Sequence, residues 1–154
     1  MRTEIPLRLE EGGEKSFPFR SCGTTAIIYR SVFGVDLMKD FSSLISSMGD
    51  SSLGLLMGGK DVDIEHDPEA LRAMLAILES GKTDVIYRMA FIMNKQAEGF
   101  KMQEITLPQY YDWLEQFEAL ELLRNAGSII TLYAGNRATT SEVKKKQGVR
   151  QSGR

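Results

Sequence analysis

The sequence predicts an α+β fold that is mainly helical: an N-terminal β-hairpin, about five or six helices and a disordered basic tail. Apolar residues alternate with polar ones through residues 3–20, whereas from Thr24 to Tyr133 they recur at helical spacing. The apolar pattern stops at Ala134. For a chain of 154 residues we expect one domain over residues 1–134 and a tail over 135–154.

The predicted hairpin is the first element. Its two alternating runs flank a turn at residues 11–14, whose two glycines suit reversed backbone. Pro6 and Pro18 restrict the strands to a sheet edge, where a missing N–H breaks no ladder bond. A lone hairpin is only marginally stable, so its apolar face must cover helices or a partner. That face consists of Ile5, Leu7, Leu9, Phe17 and Phe19.

Two short helices should follow. Thr25 is the expected cap of the first and Gly34 its C-terminal stop, while Asp36 caps the second. The first presents Ile27, Ile28, Val32 and Phe33, and the second Leu37, Phe41, Leu44 and Ile45. Serine and glycine then dominate, so residues 46–66 are predicted to be a flexible loop.

The next two helices have clear boundaries. Asp67, Pro68 and Glu69 combine a capping acid, a proline in the first turn and a helix-dipole partner, and Gly81 ends this helix. Another runs from Thr83 to about residue 97. The predicted inward positions are Leu71, Met74, Leu75 and Leu78 in the first, and Val85, Ile86, Met89, Ala90 and Met93 in the second.

Residues 106–133 carry the strongest aromatic pattern. Thr106 and Gln109 fit a capping box, and Pro108 fits the first turn. The stripe of Tyr110, Trp113, Leu114 and Phe117 follows at i, i+3, i+4 and i+7. The apolar phase shifts at Glu118 and resumes as Ala119, Leu122, Leu123, Ala126, Ile130 and Tyr133. This shift predicts two consecutive helices, or one bent helix.

Charge is distributed unevenly along the chain. From Arg137 onward there are six basic residues and one acid (+5), so residues 1–136, with 13 basic and 20 acidic residues, carry −7. A short basic tail on an acidic body does not predict nucleic-acid binding, because specific binders show a basic face on the folded domain. There is also no apolar run near the about 20 residues of a membrane span. We therefore expect neither nucleic acid nor membrane as a partner.

The residue types that carry catalysis are sparse. Residues 54–60 match the spacing of a phosphate-binding loop, but Asp61 stands where a hydroxyl should hold magnesium. The alternating acids at 61–67 lack the glycine and glutamate of a calcium loop. His66 and Cys22 are the only histidine and cysteine, too few for a zinc site. The sequence predicts a protein that is not an enzyme and holds no cofactor or metal.

Partner binding is the alternative to catalysis. Tyr110, Trp113 and Phe117 are residue types that anchor interfaces, and Met89 and Met93 belong to a methionine-rich set suited to adaptable grooves. The competing interpretation is that all five fill the protein's own core, since a helical apolar stripe usually faces its own domain. Both interpretations are open at the level of sequence.

Seven short motifs together resemble a known family. The order resembles that of the tail assembly chaperones of long, flexible-tailed phages and prophages of Gram-positive bacteria, and it covers nearly the whole chain. The motifs are FPFR at 17–20, TT at 24–25, YR at 29–30, FGVDL at 33–37, the helical block 87–96, WLEQF at 113–117 and TTSEVKKK at 139–146.

This resemblance implies a non-enzymatic role in the cytoplasm of the infected host cell. Such proteins bind the aggregation-prone tape measure protein, keep it soluble and recruit tail-tube proteins around it, and they are absent from the mature virion. The expected partners are thus the tape measure protein, the tail-tube protein and further copies of this chain.

Family members are also made as a longer −1 frameshift product. Lys144, Lys145 and Lys146 can be encoded AAA-AAA-AAG, which contains the slippery heptamer A-AAA-AAG. We expect these lysines to mark a recoding site. A basic tail that aids solubility or touches the acidic body is the alternative.

Two other functions compete with the chaperone. One is a structural virion component of the head–tail connector or tail-terminator type, because such subunits are also small, acidic and poor in cysteine. The other is a host adaptor or regulator without any connection to a phage.

Overall fold

A computed structural model describes residues 1–49 and 66–135 and confirms the α+β, mainly helical fold class. Strands β1 (Arg2–Arg8) and β2 (Glu14–Arg20) form the predicted antiparallel hairpin, with Ile5 opposite Phe17. The turn contains Gly12 and Gly13 at φ of +101° and +85°, a conformation that glycine adopts without a steric penalty. Among the predicted inward positions, Ile5, Leu7, Phe17 and Phe19 are buried and Leu9 is half-buried.

Seven α-helical segments occur within the described residues. They are α1 (Thr25–Phe33), α2 (Leu37–Met48), α3 (Pro68–Ser80), α4 (Thr83–Ala97), α5 (Leu107–Glu115), α6 (Glu121–Arg124) and α7 (126–135), with a 3₁₀ turn at Met102–Glu104. The number exceeds the expected five or six because the last predicted helix is interrupted at Asn125. There the Asn125 side chain donates to the backbone oxygen of Glu121 (2.9 Å).

Local capping chemistry sets most helix boundaries where the sequence predicts them. The Asp36 carboxylate accepts from the Lys39 N–H (3.1 Å), and that of Asp67 accepts from the Glu69 N–H (3.0 Å). Gln109 Oε1 accepts from the Thr106 N–H at 3.1 Å, one half of the expected capping box. These bonds satisfy backbone donors that a helix terminus otherwise leaves without a partner.

The start of α1 differs from the prediction by one residue. Thr24 is the N-cap, without a capping bond from its side chain, and Thr25 is the first helical residue. Thr25 is fully buried, and its hydroxyl accepts from the Cys22 N–H (3.0 Å) and donates to Gln96 Oε1 (2.6 Å). The Thr25 hydroxyl, which was expected to cap the helix, therefore makes a long-range bond to Gln96 instead.

Helix α4 is the centre of the domain. It contacts β2 most extensively and also packs against α1, α2, α3, α5 and α6. All its predicted inward residues are buried, and Phe91 and Ile92 are fully buried as well. The apolar face of the hairpin thus covers a helix of its own chain, as its marginal stability in isolation requires.

Two polar residues near the end of α4 tie three elements together. Asn94 is fully buried; its Nδ2 donates to the Pro18 carbonyl of β2 (2.8 Å), and its Oδ1 accepts from Trp113 Nε1 of α5 (2.9 Å). Two residues further on, Gln96 Nε2 donates to Thr24 Oγ1 (3.0 Å) and to Cys22 Sγ (3.1 Å). One turn of α4 therefore fixes the hairpin, α5 and the start of α1 relative to one another.

Helix α3 turns a different face inward from the one predicted. Met74 is buried as expected, but Leu71, Leu75 and Leu78 are 38–43% exposed. Their places in the interior are taken by Ala70, Ala73 and Ile77. The helix is apolar on several faces, and small alanines let its backbone approach α2 and α4 more closely than leucines would.

Helix α2 is longer than expected, because residues 46–48 continue it instead of beginning a loop. Ser47 fits the helix by donating its hydroxyl to the Ser43 carbonyl (2.7 Å), and Met48 adds a buried apolar residue. Residues 50–65 of the predicted loop, with the 54–60 motif and the acids at 61–65, lie outside the described residues. So do residues 136–154, including Lys144, Lys145 and Lys146.

The phase shift at Glu118 corresponds to a real break between helices α5 and α6. Residues 116–118 pair with the end of the hairpin, where Glu10 N–H donates to the Gln116 carbonyl (2.9 Å) and Glu118 N–H to that of Arg8 (3.1 Å). Leu120 then adopts a left-handed φ of +69°, the sole positive φ of a non-glycine residue between 66 and 135 or before 50. The backbone pairing thus accounts for the change of helical phase.

Replacing the buried amide of Asn94 should be strongly destabilising. Asn94→Ala leaves the Trp113 N–H and the Pro18 carbonyl in the interior without these partners, and each such loss costs about 1–3 kcal/mol. We expect the free energy of unfolding to fall by about 2–6 kcal/mol in urea denaturation. Trp113→Phe removes the indole donor together with part of a buried ring, and a double-mutant cycle, which isolates the pairwise contribution, should give a coupling of about 0.5–3 kcal/mol. A zero coupling would contradict the assigned bond.

Candidate partner-binding surface

Two of the three predicted aromatic anchors, Tyr110 and Trp113, lie on the inner face of α5, and Phe117 follows the helix in the segment that pairs with the hairpin at Leu9. Tyr110, Trp113 and Phe117 are 5%, 4% and 6% exposed. The Trp113 ring lies between those of Phe91 (5.7 Å between centroids) and Phe117 (4.7 Å), in edge-to-face contacts. Because so little of these rings is accessible, they are core residues here and not surface anchors.

The two methionines proposed for an adaptable groove are also internal. Met89 and Met93 are 0% exposed and belong to the core on α4. Flexible, unbranched methionine fills irregular spaces between helices, which is the role the packing gives them. All five predicted partner-binding residues therefore lie together in the core, and an accessible surface must be formed by others.

The orientation of α5 follows from its two attachments. The capping box starts the helix at Leu107, and the bond from Trp113 to Asn94 fixes which side faces α4. Burial and the nearby charge of Asp84 raise the pKa of the Tyr110 hydroxyl, so this phenol stays neutral in the physiological range. Because Tyr110 and Trp113 face inward, the residues on the opposite side of α5 face solvent.

We call these exposed residues the α5 outer face: Leu107, Tyr111, Asp112 and Glu115. Leu107 is 41% and Tyr111 57% exposed, and they lie one turn apart. The exposed side chains of Asp112 and Glu115 both follow on one side of this pair, because successive helical residues are about 100° apart. Residues 102–123 contain no lysine or arginine, so the charge along this surface is uniformly negative.

The α5 outer face combines an apolar ridge, Leu107 and Tyr111, with two carboxylates beside it, Asp112 and Glu115. Exposed tyrosine and leucine supply contact area at a small entropic cost, and carboxylates select a basic partner. It can therefore bind a helix or extended segment that is apolar on one side and rich in lysine or arginine. The sequence already contained the signal, because Leu107 and Tyr111 are an i, i+4 pair, but the longer stripe through Tyr110 dominates the pattern.

Cys22 lies in a separate groove of about 490 Å³, which is also lined by Arg20, Ile27 and Lys101. Burial acts to raise the pKa of the Cys22 thiol, but hydrogen bonds with Thr24, Thr25 and Gln96 together outweigh it and lower the pKa. The thiol is half-buried and accepts from Gln96 Nε2 (3.1 Å). Cys22 is thus a half-buried thiol that is held by hydrogen bonds within the domain.

Three other features can be checked in the part of the chain that the structure describes: the single histidine, a metal site and a membrane span. His66 is exposed just before α3. Over residues 1–49 and 66–135, no cluster of three or more histidine, cysteine or acidic side chains could hold a metal ion. None of the described helices has the length and apolarity needed to cross a bilayer. The α5 outer face is therefore the candidate site described here for partner binding.

Comparison of the chain with protein-family models, with curated proteins and with solved structures found no match.

The lowered pKa of Cys22 should be visible in its reactivity. Alkylation by iodoacetamide requires the thiolate, so the pH midpoint of its rate should lie below the ordinary cysteine value in the folded protein. Thr24→Val removes one stabilising hydroxyl and should move the midpoint upward. The same chain unfolded in guanidinium is the control, because Cys22 is the one cysteine in the sequence. Equal midpoints in folded and unfolded protein would contradict this assignment.

Proposed function

We propose that this protein is a tail assembly chaperone of a long-tailed phage or prophage. It binds the tape measure protein in the host cytoplasm, keeps it soluble and helps to recruit tail-tube subunits. The observation that carries the proposal is the order of the seven short motifs, which runs from residue 17 to residue 146. The α5 outer face adds a surface of suitable chemistry.

The client of such a chaperone is long, helical and prone to aggregate. A helix that has not yet assembled exposes an apolar stripe, which must be covered to prevent association with other copies. Leu107 and Tyr111 offer an exposed apolar ridge of about one helical turn for that purpose. The ridge is small, so one contact is weak and reversible, as release during tail assembly requires.

The negative charge of this chain also suits a basic client. Residues 1–136 carry −7, and Asp112 and Glu115 place part of that charge beside the ridge. A basic client is attracted by this field, whereas other acidic chaperone molecules are repelled. The carboxylates of Asp112 and Glu115 thus favour binding of a basic client over self-association at this surface.

Co-expression with the tape measure protein encoded in the same genome tests the proposal. Wild-type protein should keep the tape measure protein soluble and co-purify with it, while Leu107→Ser/Tyr111→Ser should weaken the complex about tenfold or more, because a central aromatic anchor contributes about 2 kcal/mol. Ile27→Ser is the matched control, since Ile27 is 58% exposed on α1 and does not belong to the α5 outer face.

Two results would contradict the assignment. Equal loss of binding in Ile27→Ser would show that the α5 outer face is not the contact surface. Failure of the wild-type protein to bind or solubilise the tape measure protein, together with its presence in purified virions, would favour a structural virion component instead. Asp112→Asn/Glu115→Gln should reduce binding mainly at low salt, because exposed charges are screened as ionic strength rises.

A longer product is the second expectation of this proposal. If Lys144, Lys145 and Lys146 are encoded as a slippery run, expression of the native gene with its downstream DNA should yield a minor species that diverges there. Intact-mass analysis of all species that share the N-terminus measures it. Synonymous AAG codons at the three lysines preserve the protein but should abolish the longer species. A single product from the native codons would exclude recoding.

A further inference from the structure

Helix α3 presents an apolar stripe that no described element covers. Leu71, Leu75 and Leu78 are 40%, 43% and 38% exposed, although Ala70, Ala73 and Ile77 on the opposite side are buried. A fold that simply minimised exposed apolar surface would bury leucine in preference to alanine. Three large aliphatic side chains on one exposed helical face form the kind of apolar patch to which a partner binds.

The spacing of the three leucines specifies the geometry of that contact. They are separated by four residues and then by three, which is the spacing of the seam in a coiled coil. Such a seam packs against one other helix by inserting its side chains between those of the facing helix. The expected occupant is thus a helix with the same spacing.

The charges beside the stripe allow this surface of α3 to pair with the same surface on a second copy of the chain. Arg72 lies three residues before Leu75, and Glu79 lies four residues after it; both are exposed. In an antiparallel pair with Leu75 at the two-fold axis, Leu71 lies within one residue of the level of Leu78 of the second copy. Arg72 lies equally near the level of Glu79 of the second copy and on the same side of the seam. The symmetry creates this ion pair twice. In a parallel pair these two positions of one copy would lie on the opposite side of the seam from those of the other, so Arg72 would not meet Glu79.

We propose that the protein forms a two-fold dimer through antiparallel pairing of α3 with α3 of a second copy. Leu71, Leu75 and Leu78 form the seam, and Arg72 and Glu79 set its direction. This proposal does not rest on the chaperone function, because it uses only the spacing, exposure and charge of α3. One helix pair is smaller than a standard stable interface, so the dimer is concentration-dependent.

Sedimentation velocity of the full chain over a range of concentrations tests the dimer. Wild-type protein should shift from monomer to dimer, and Leu75→Glu should weaken association at least tenfold by placing two like charges at the axis. Ile27→Glu is the control with a comparable apolar-to-acid change at an exposed site, and it should associate like the wild type. A wild-type protein that stays monomeric at several hundred micromolar, or association unchanged by Leu75→Glu, would overturn the proposal.

A charge exchange tests the antiparallel direction. Arg72→Glu and Glu79→Arg should each weaken the dimer, because each creates two like-charged pairs, while the double variant should restore it. Both residues are exposed, so folding is retained, and circular dichroism verifies this. If both single variants dissociate the dimer and the double variant does not recover it, the antiparallel pairing is wrong. Binding of a different protein in place of a second copy would leave the wild type monomeric.

Discussion

The buried amide of Asn94 is the interaction on which the arrangement of the domain depends. It donates to the Pro18 carbonyl of the hairpin and accepts from the Trp113 indole of α5, so one side chain joins both to the central helix. In an apolar interior an unsatisfied polar group is costly, which makes the satisfied arrangement much more favourable than a shifted one. Asn94 thereby fixes the rotation of α5 as well as its position.

The rotation of α5 in turn decides which residues are available to a partner. Once Trp113 is directed at α4, Tyr110 and Phe117 must join the core and Leu107 and Tyr111 must face solvent. The most aromatic segment of the chain therefore serves two purposes. Its inner face supplies edge-to-face packing, and its outer face provides a smaller apolar ridge among carboxylates. The partner-binding chemistry that we propose belongs to the second face.

Helix α3 also has one buried and one exposed face, but here most of the larger apolar residues lie on the exposed face. Its buried side is made of small residues and one isoleucine, which permits close packing on α2 and α4. Its exposed side keeps the larger leucines, together with a basic and an acidic residue at positions suited to a symmetric contact. The acidic α5 outer face and the self-complementary α3 face are distinct in charge, so they suit different partners.

The sequence by itself determined the hairpin, the helix class of the remainder and most helix boundaries. These features depend on local chemistry: alternation at Ile5 and Leu7, glycines in the turn, and capping acids at Asp36 and Asp67, which act within a few residues. Only the tertiary structure decided that α3 buries alanines instead of leucines, that Ser46 and Ser47 continue α2, and that Tyr110, Trp113 and Phe117 are internal. A helix that is apolar on several faces is compatible with more than one orientation, and the choice depends on the shapes of the neighbours it meets. The same applies to Asn94 and Gln96, because their partners are distant in sequence and no local pattern specifies them.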